Sequence, residues 1–253
     1  MTMLTTRRTA AYDTGTLLGF GPKRKAATMT LALALHGEEC VVLAADKQET
    51  KTYKGGNYIE NVAKLIEIDG SQVFAMAGPS HCENMFLTTT KSLLKTRPMN
   101  PELLGSLSTR LGNRFERMYR TKREREDNHA GFLLVGVDDE NEFSVNYFES
   151  PNFYPLPERN FGTIGSREQS LYFLWHIYDK TKPSKPIADQ LILLACFCIN
   201  ETAKQSSLVG KDMDIWILRK GQRIEKLTQT RIEEIHKEAE EISRAIAEKF
   251  LTK

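Results

Sequence analysis

Residues 28–46, TMTLALALHGEECVVLAAD, hold two short apolar runs separated by a polar HGEE and closed by an aspartate. In the first run Met29, Leu31, Leu33 and Leu35 alternate with the small residues Thr30, Ala32 and Ala34, and the second, CVVLAAD, is apolar on both faces until its end. Period-2 runs of this length read as strands, and neither face of this pair can be left in water. A hairpin buried on both sides needs a layer of structure above it and another below. Asp46, followed by the polar KQET, reads on pattern alone as a strand end in solvent.

The rest of the chain supplies those layers. AKLIEIDGSQVFAMAG carries a second hairpin turning at Asp69-Gly70 and ending at Gly78-Pro79-Ser80. Ser80 and Glu83 make a capping box that opens a helix over about 81–95. Leu103, Leu104, Leu107, Leu111, Phe115 and Met118 line one face of a second helix from Pro101 to about Tyr119. GFLLVGVD and FSVNYFES, joined by DENE, form a third hairpin. GTIGSREQSLYFLWHIYD reads as a glycine loop entering a helix, and PIADQLILLACFCINETA as an almost wholly apolar helix that must lie inside something. DMDIWILRKGQRIEKL gives a last hairpin through Lys220-Gly221, and residues 230–251 a charged amphipathic helix. The expected fold is α+β: a four-layer α/β/β/α sandwich of two antiparallel sheets flanked by helices. Residues 1–27 show no sustained period and read as an extension ahead of a single domain at 28–253.

Charge narrows the partners. Thirty-five Lys and Arg against thirty-three Asp and Glu leave a net charge of +2, which gives little pull toward nucleic acid or a membrane. The basic clusters KRK at 23–25 and RTKRER at 120–125 read as solvated loop or helix ends in preference to a polyanion patch. Cys40, Cys82, Cys196 and Cys198 lack metal-ligand spacing and read as buried reduced thiols, so no metal or cofactor is expected. No apolar run reaches the roughly 20 residues that span a bilayer, and the first 27 residues lack the apolar middle of a secretory signal. A cytoplasmic protein is the expectation.

The order TMTLALALHGEECVVLAADKQET, AKLIEI, then FAMAG followed by a helix resembles the β subunits of the proteasome and the N-terminal nucleophile hydrolases related to them. In that family a threonine opens the first strand, an aspartate ends the second, a lysine opens the third and a glycine ends the fourth. The matching positions are Thr28, Asp46, Lys64 and Gly78, with Ser166 of GTIGS matching a serine that supports the site. The resemblance implies a propeptide at residues 1–27, cut autocatalytically between Ala27 and Thr28. A threonine hydroxyl needs a base, and a free α-amino group with a reference pKa of about 7.7–8.0 can serve at neutral pH. Lys64 would lower the hydroxyl's pKa, Asp46 would fix and compensate the lysine, and the Gly78 N–H would hold the oxyanion. Thr50 would bind substrate backbone as an added strand, with Glu49, Val62 and Met76 near the specificity pocket. The implied substrate is a peptide or unfolded protein, and the implied assembly a ring-forming homo-oligomer, possibly with related subunits.

Departures from the family pattern keep other readings open. Ala27 stands where the family commonly has glycine, and SSLVGKD places Ser206 and Val209 where the family has an aspartate and a serine. Closing the first hairpin at Ala34 and Cys40 sets Thr28 opposite Asp46, whereas closing it at His36 and Cys40 sets Thr30 there instead. Thr28 is preferred because TMTLALAL mimics the family's threonine-rich opening. The alternative function is a catalytically silent ring subunit serving assembly or gating. A third keeps the fold and exchanges the peptide for another amide.

Overall fold

The structure, a computed structural model, describes residues 30–53, 56–94, 97–157, 161–166, 171, 174, 178 and 186–251. In chain order the strands are β1 (Leu31–His36), β2 (Cys40–Asp46), β3 (Gln48–Tyr53), β4 (Gly56–Asn61), β5 (Leu65–Glu67) and β6 (Val73–Ala77). Helices α1 (Ser80–Leu94), α2 (Pro101–Met118) and α3 (Lys122–Asp127) follow. Then come β7 (Gly131–Val137), β8 (Phe143–Glu149), β9 (Leu156–Pro157), β10 (Phe161–Gly165), α4 (Ala188–Gln205), β11 (Met213–Arg219), β12 (Glu225–Lys226) and α5 (Gln229–Leu251). Two five-stranded sheets form, in the orders β10-β1-β2-β11-β12 and β5-β6-β7-β8-β9, and β3-β4 stands as a separate hairpin. The pairings are antiparallel.

The alternation read in the first strand separates two cores. Leu31, Leu33 and Leu35 pack with Val42, Ala44, Ile215 and Ile217 against Leu191 and Ile199 of α4 and Ile232 and Ile235 of α5. The residues between them, Ala32 and Ala34, join Val41, Leu43 and Ala45 against Val73, Ala75, Leu133 and Val135 of the second sheet. Alanine on that face keeps the filling thin, so the two sheets meet through modest side chains while leucines reach toward the helices. The second sheet's other face carries Phe74, Phe132 and Phe148 against Phe86, Leu107, Leu111 and Phe115 of α1 and α2.

Phe86 stacks on Phe132 with ring centroids 4.2 Å apart, and it is fully buried. Phe86→Ala is expected to destabilise the fold by about 3–5 kcal/mol. The shift of a urea midpoint at unchanged slope measures it, and a loss below about 1 kcal/mol would contradict this packing.

Several elements differ from the sequence reading. GTIGS is not a glycine loop: residues 161–165 form β10, which pairs along β1 with Ile164 opposite Ala32 and Gly162 opposite Ala34. Two glycines in five residues hid the strand, yet Gly165 is required there. Its φ is +85°, and a Cβ would sit 1.5 Å from the Thr30 carbonyl oxygen. The helix expected after it lies largely outside the described residues. KQET enters β3 of a hairpin that the reading passed over because its residues are mostly polar. RTKRER opens α3, capped by reciprocal hydrogen bonds between Thr121 and Glu124.

The first hairpin closes in neither register considered. The Gly37 N–H donates to the Cys40 carbonyl across Glu38-Glu39, and Ala32 faces Ala45. Carried one residue further, that register sets Leu31 opposite Asp46, with neither threonine there. An even loop beats the odd one because Gly37 packs closely: a Cβ on it would meet Leu191 and the Pro186 carbonyl at 2.8 Å.

Candidate active site

Asp46 is the last residue of β2, and it is 0% exposed. A bare carboxylate at that depth is untenable, and four donors account for it. Its Oδ1 accepts from the Leu31 N–H at 2.8 Å and from Lys64 Nζ at 3.0 Å. Its Oδ2 accepts from the Gln48 and Gly210 N–H groups, each at 3.1 Å. The aspartate therefore reaches the start of β1 through backbone, and that contact needs Leu31 in register, not a threonine.

Lys64 lies just before β5 and is 8% exposed. Its ammonium also donates to the Gln48 carbonyl, so two oxygens hold it at fixed orientation. Burial drives its pKa below the usual lysine value, opposed by the Asp46 charge and hydrogen bond. Burial pushes Asp46 above the usual carboxylate value, opposed by Lys64 and by the Leu31 and Gly210 N–H groups. All four contacts to the carboxylate are donors, which is the environment of the ionised form.

Ser166 and Gly78 meet the same end of β1. The Ser166 N–H donates to the Thr30 carbonyl at 2.8 Å. The Ser166 hydroxyl is buried with no hydrogen-bond partner among the described residues. A Cβ on Gly165 would come within 3.3 Å of the Ala77 Cβ, so the strand end before Gly78 lies against this turn. Gly78 has φ +143°, and a Cβ there would clash with Ala130 at 2.8 Å. Only glycine fits this strand-to-helix turn, where β6 gives way to α1.

The remaining residues named from sequence are placed unevenly. Thr28 lies outside the described residues, while Thr30 is described and buried. Thr50 pairs with Ile59 across β3 and β4. The Glu49 charge acts on both Lys64 and Glu83, and Glu83 is raised above its usual value by burial first and Glu49 second. Val62 lines a groove of about 600 Å³ with Lys47, Asn61, Asp212 and Asp214. Met76 is packed in the core beneath α1 and α2. Asp212, in that outer groove, accepts from Asn61 Nδ2 at 2.9 Å, and its backbone carbonyl accepts the Lys47 N–H.

Two further residues complete the site: Gln48, which carries no signal in the sequence, and Gly210, the glycine that SSLVGKD keeps of the family's pair. Gln48 donates its N–H to Asp46, accepts from Lys64 on its carbonyl, and donates Nε2 to the Ser207 carbonyl at 2.7 Å. Gly210 offers its N–H to Asp46 from a position where a Cβ would meet Gln48 Cβ at 2.8 Å. Backbone donors leave no side-chain signature, so the family pattern marks Gly210 as a kept glycine without revealing that its N–H reaches Asp46.

The arrangement can hold a buried, oriented lysine ammonium beside the start of β1, with an unpartnered hydroxyl and a glycine turn at hand. That is the equipment for depressing a hydroxyl's pKa and for receiving an oxyanion. Among the described residues no group of side chains could hold a metal ion, and no helix is long and apolar enough to cross a membrane. A family model described as Proteasome subunit matches residues 27–218. No curated protein matches the chain.

Proposed function

Because the chain belongs to the proteasome subunit family, whose members form ring-shaped oligomers, we propose that it is a β-type threonine peptidase that removes its own propeptide. The observation that carries the reading is the buried Lys64–Asp46 pair, whose carboxylate grips Leu31 at the first-strand start. In this mechanism cleavage after Ala27 frees the amine of Thr28, which takes the proton of the Thr28 hydroxyl. The hydroxyl oxygen attacks the substrate carbonyl, and the Gly78 N–H receives the negative oxygen. The amine returns its proton to the leaving nitrogen, an ester remains, and water then hydrolyses it. Lys64 keeps positive charge near the hydroxyl, Asp46 fixes Lys64, and the Ser166 hydroxyl is available to the new amine. This reading takes the fold as a four-layer α/β/β/α stack, supported by the three separate cores, with substrate added along β3 at Thr50 and side-chain selection by Glu49, Val62 and Met76. Peptides or unfolded chains are the substrate, in the cytoplasm, within a ring of copies of this chain or of related subunits.

The second reading is a silent ring subunit. It is favoured by the loop at Ser206–Gly210, where Val209 is buried in the core under α4 and Ser207 is held by Gln48. That loop offers Asp46 a backbone N–H and no carboxylate. Intact mass of the full chain and of Thr28→Ala separates the two. Self-processing predicts a wild-type mass beginning at Thr28, with the variant left full-length. A start at Thr30 would move the nucleophile. A full-length wild type that is folded and assembled would sink the peptidase and leave the ring subunit.

A further inference from the structure

Outside this site, an open groove of about 270 Å³ runs between α1 and α2, lined by Thr89, Ser92, Arg110, Asn113, Arg114 and Arg117. No described carboxylate lines it. The three arginines recur at i, i+4 and i+7 of α2, so they share one helix face and span roughly 10 Å along its axis. Apart from the arginines themselves, positions three and four residues away from each hold Ser106, Leu107, Leu111, Asn113, Met118, Arg120 and Thr121, with no acid among them. By contrast, Arg231 of α5 pairs with Glu234 at 2.9 Å, and the α2 acid nearest the stripe, Glu116, faces Arg125 of α3 at 3.9 Å. Like charges at this spacing destabilise a helix, so the stripe is a standing repulsion that a bound anion would relieve.

The groove is also partly built in advance. Arg114 Nη1 donates to Thr89 Oγ1 at 2.8 Å, and Thr89, 3% exposed, donates in turn to the Met85 carbonyl at 2.7 Å. The central guanidinium is thus held in place before any ligand arrives, which reduces the entropy lost on binding. The volume lies below the roughly 300–1,000 Å³ of sites for drug-sized molecules. Three planar guanidinium forks call for several anionic oxygens, more than one carboxylate carries.

We propose that this groove binds a small polyphosphate-class oxyanion, a di- or triphosphate chain lying along Arg110, Arg114 and Arg117. The site is independent of the proposed hydrolysis and is tested by binding alone. Isothermal titration of the full-length protein with inorganic tripolyphosphate at low salt is expected to show saturable binding. R110Q/R117Q, which changes two exposed side chains and spares the structurally tied Arg114, is expected to weaken it at least tenfold. K122Q/R123Q removes the same charge from neighbouring α3 and is expected to stay within about twofold. Equal weakening by the two double variants would overturn the proposal, since the attraction would then be diffuse surface charge. Absence of millimolar-range binding, or citrate binding as tightly as tripolyphosphate, would overturn it as well.

Discussion

Lys64→Ala is expected to abolish propeptide removal and to lower peptide hydrolysis by at least about 10³-fold, equivalent to about 4 kcal/mol of transition-state stabilisation. Among the described residues the lysine is the one cation paired with Asp46. Removing it also leaves a carboxylate at 0% exposure with its Nζ donor gone. Breaking a buried pair from one side typically costs about 3–5 kcal/mol, so the variant should melt lower as well. Lys47→Ala is the informative comparison. Lys47 pairs with Asp214 at 2.9 Å, with both partners partly in solvent, and such a pair contributes about 0–1 kcal/mol. Lys47→Ala should process and hydrolyse normally. Intact mass, peptide turnover and a melting curve on both variants give the result. A folded Lys64→Ala protein with unchanged processing would remove the lysine from the mechanism.

The second large effect is structural. Gly165→Ala places a Cβ 1.5 Å from the Thr30 carbonyl oxygen and 2.6 Å from its carbon, and backbone cannot yield as a flexible side chain would. Either β10 detaches from β1 or the start of β1 moves off Asp46 and Ser166. The expected loss is on the order of 4 kcal/mol, at the upper end of single-substitution effects. For a domain of this size that is a fall in melting temperature of roughly 8–16 °C. Gly221→Ala isolates the backbone contribution, because Gly221 has φ +68° with nothing within 4 Å of a Cβ. It should cost only about 1 kcal/mol. Similar losses at both glycines would mean that the approach of β10 to Thr30 is not tight. On the proposed mechanism, processing should fail in Gly165→Ala even below its melting temperature, because the start of β1 would be displaced.

Much of the architecture was legible because it rests on short-range pattern. Alternation of leucine with alanine in Leu31–Leu35 announced two different faces, and the structure assigns the leucines to the helices and the alanines to the second sheet. Asp69-Gly70 marked a turn that does separate β5 from β6, and Gly70 takes φ +86° there. The periodic leucines of α2 predicted its buried face, where Leu104, Leu107, Leu111 and Phe115 are buried, whereas Leu103 is only partly buried and Met118, expected on the same face, is 45% exposed at the helix end. β3 and β4 escaped because a mostly polar hairpin carries no burial pattern, and β10 because its glycines read as a loop.

The sequence by itself determined the strands and helices that carry a clear apolar period, and through an ordered set of residues it pointed to Asp46, Lys64, Gly78 and Ser166 as a group. Local hydrophobic period and turn chemistry act within a few residues, so they can be read from one chain. Tertiary structure alone decided the register of the first hairpin and the partners of Asp46. Those depend on Gly37 meeting Leu191 and Pro186, and on backbone N–H groups of Leu31 and Gly210 arriving from 15 and 164 residues away. A main-chain donor is the same at every non-proline residue. Only the folded path can say which of them faces the buried carboxylate.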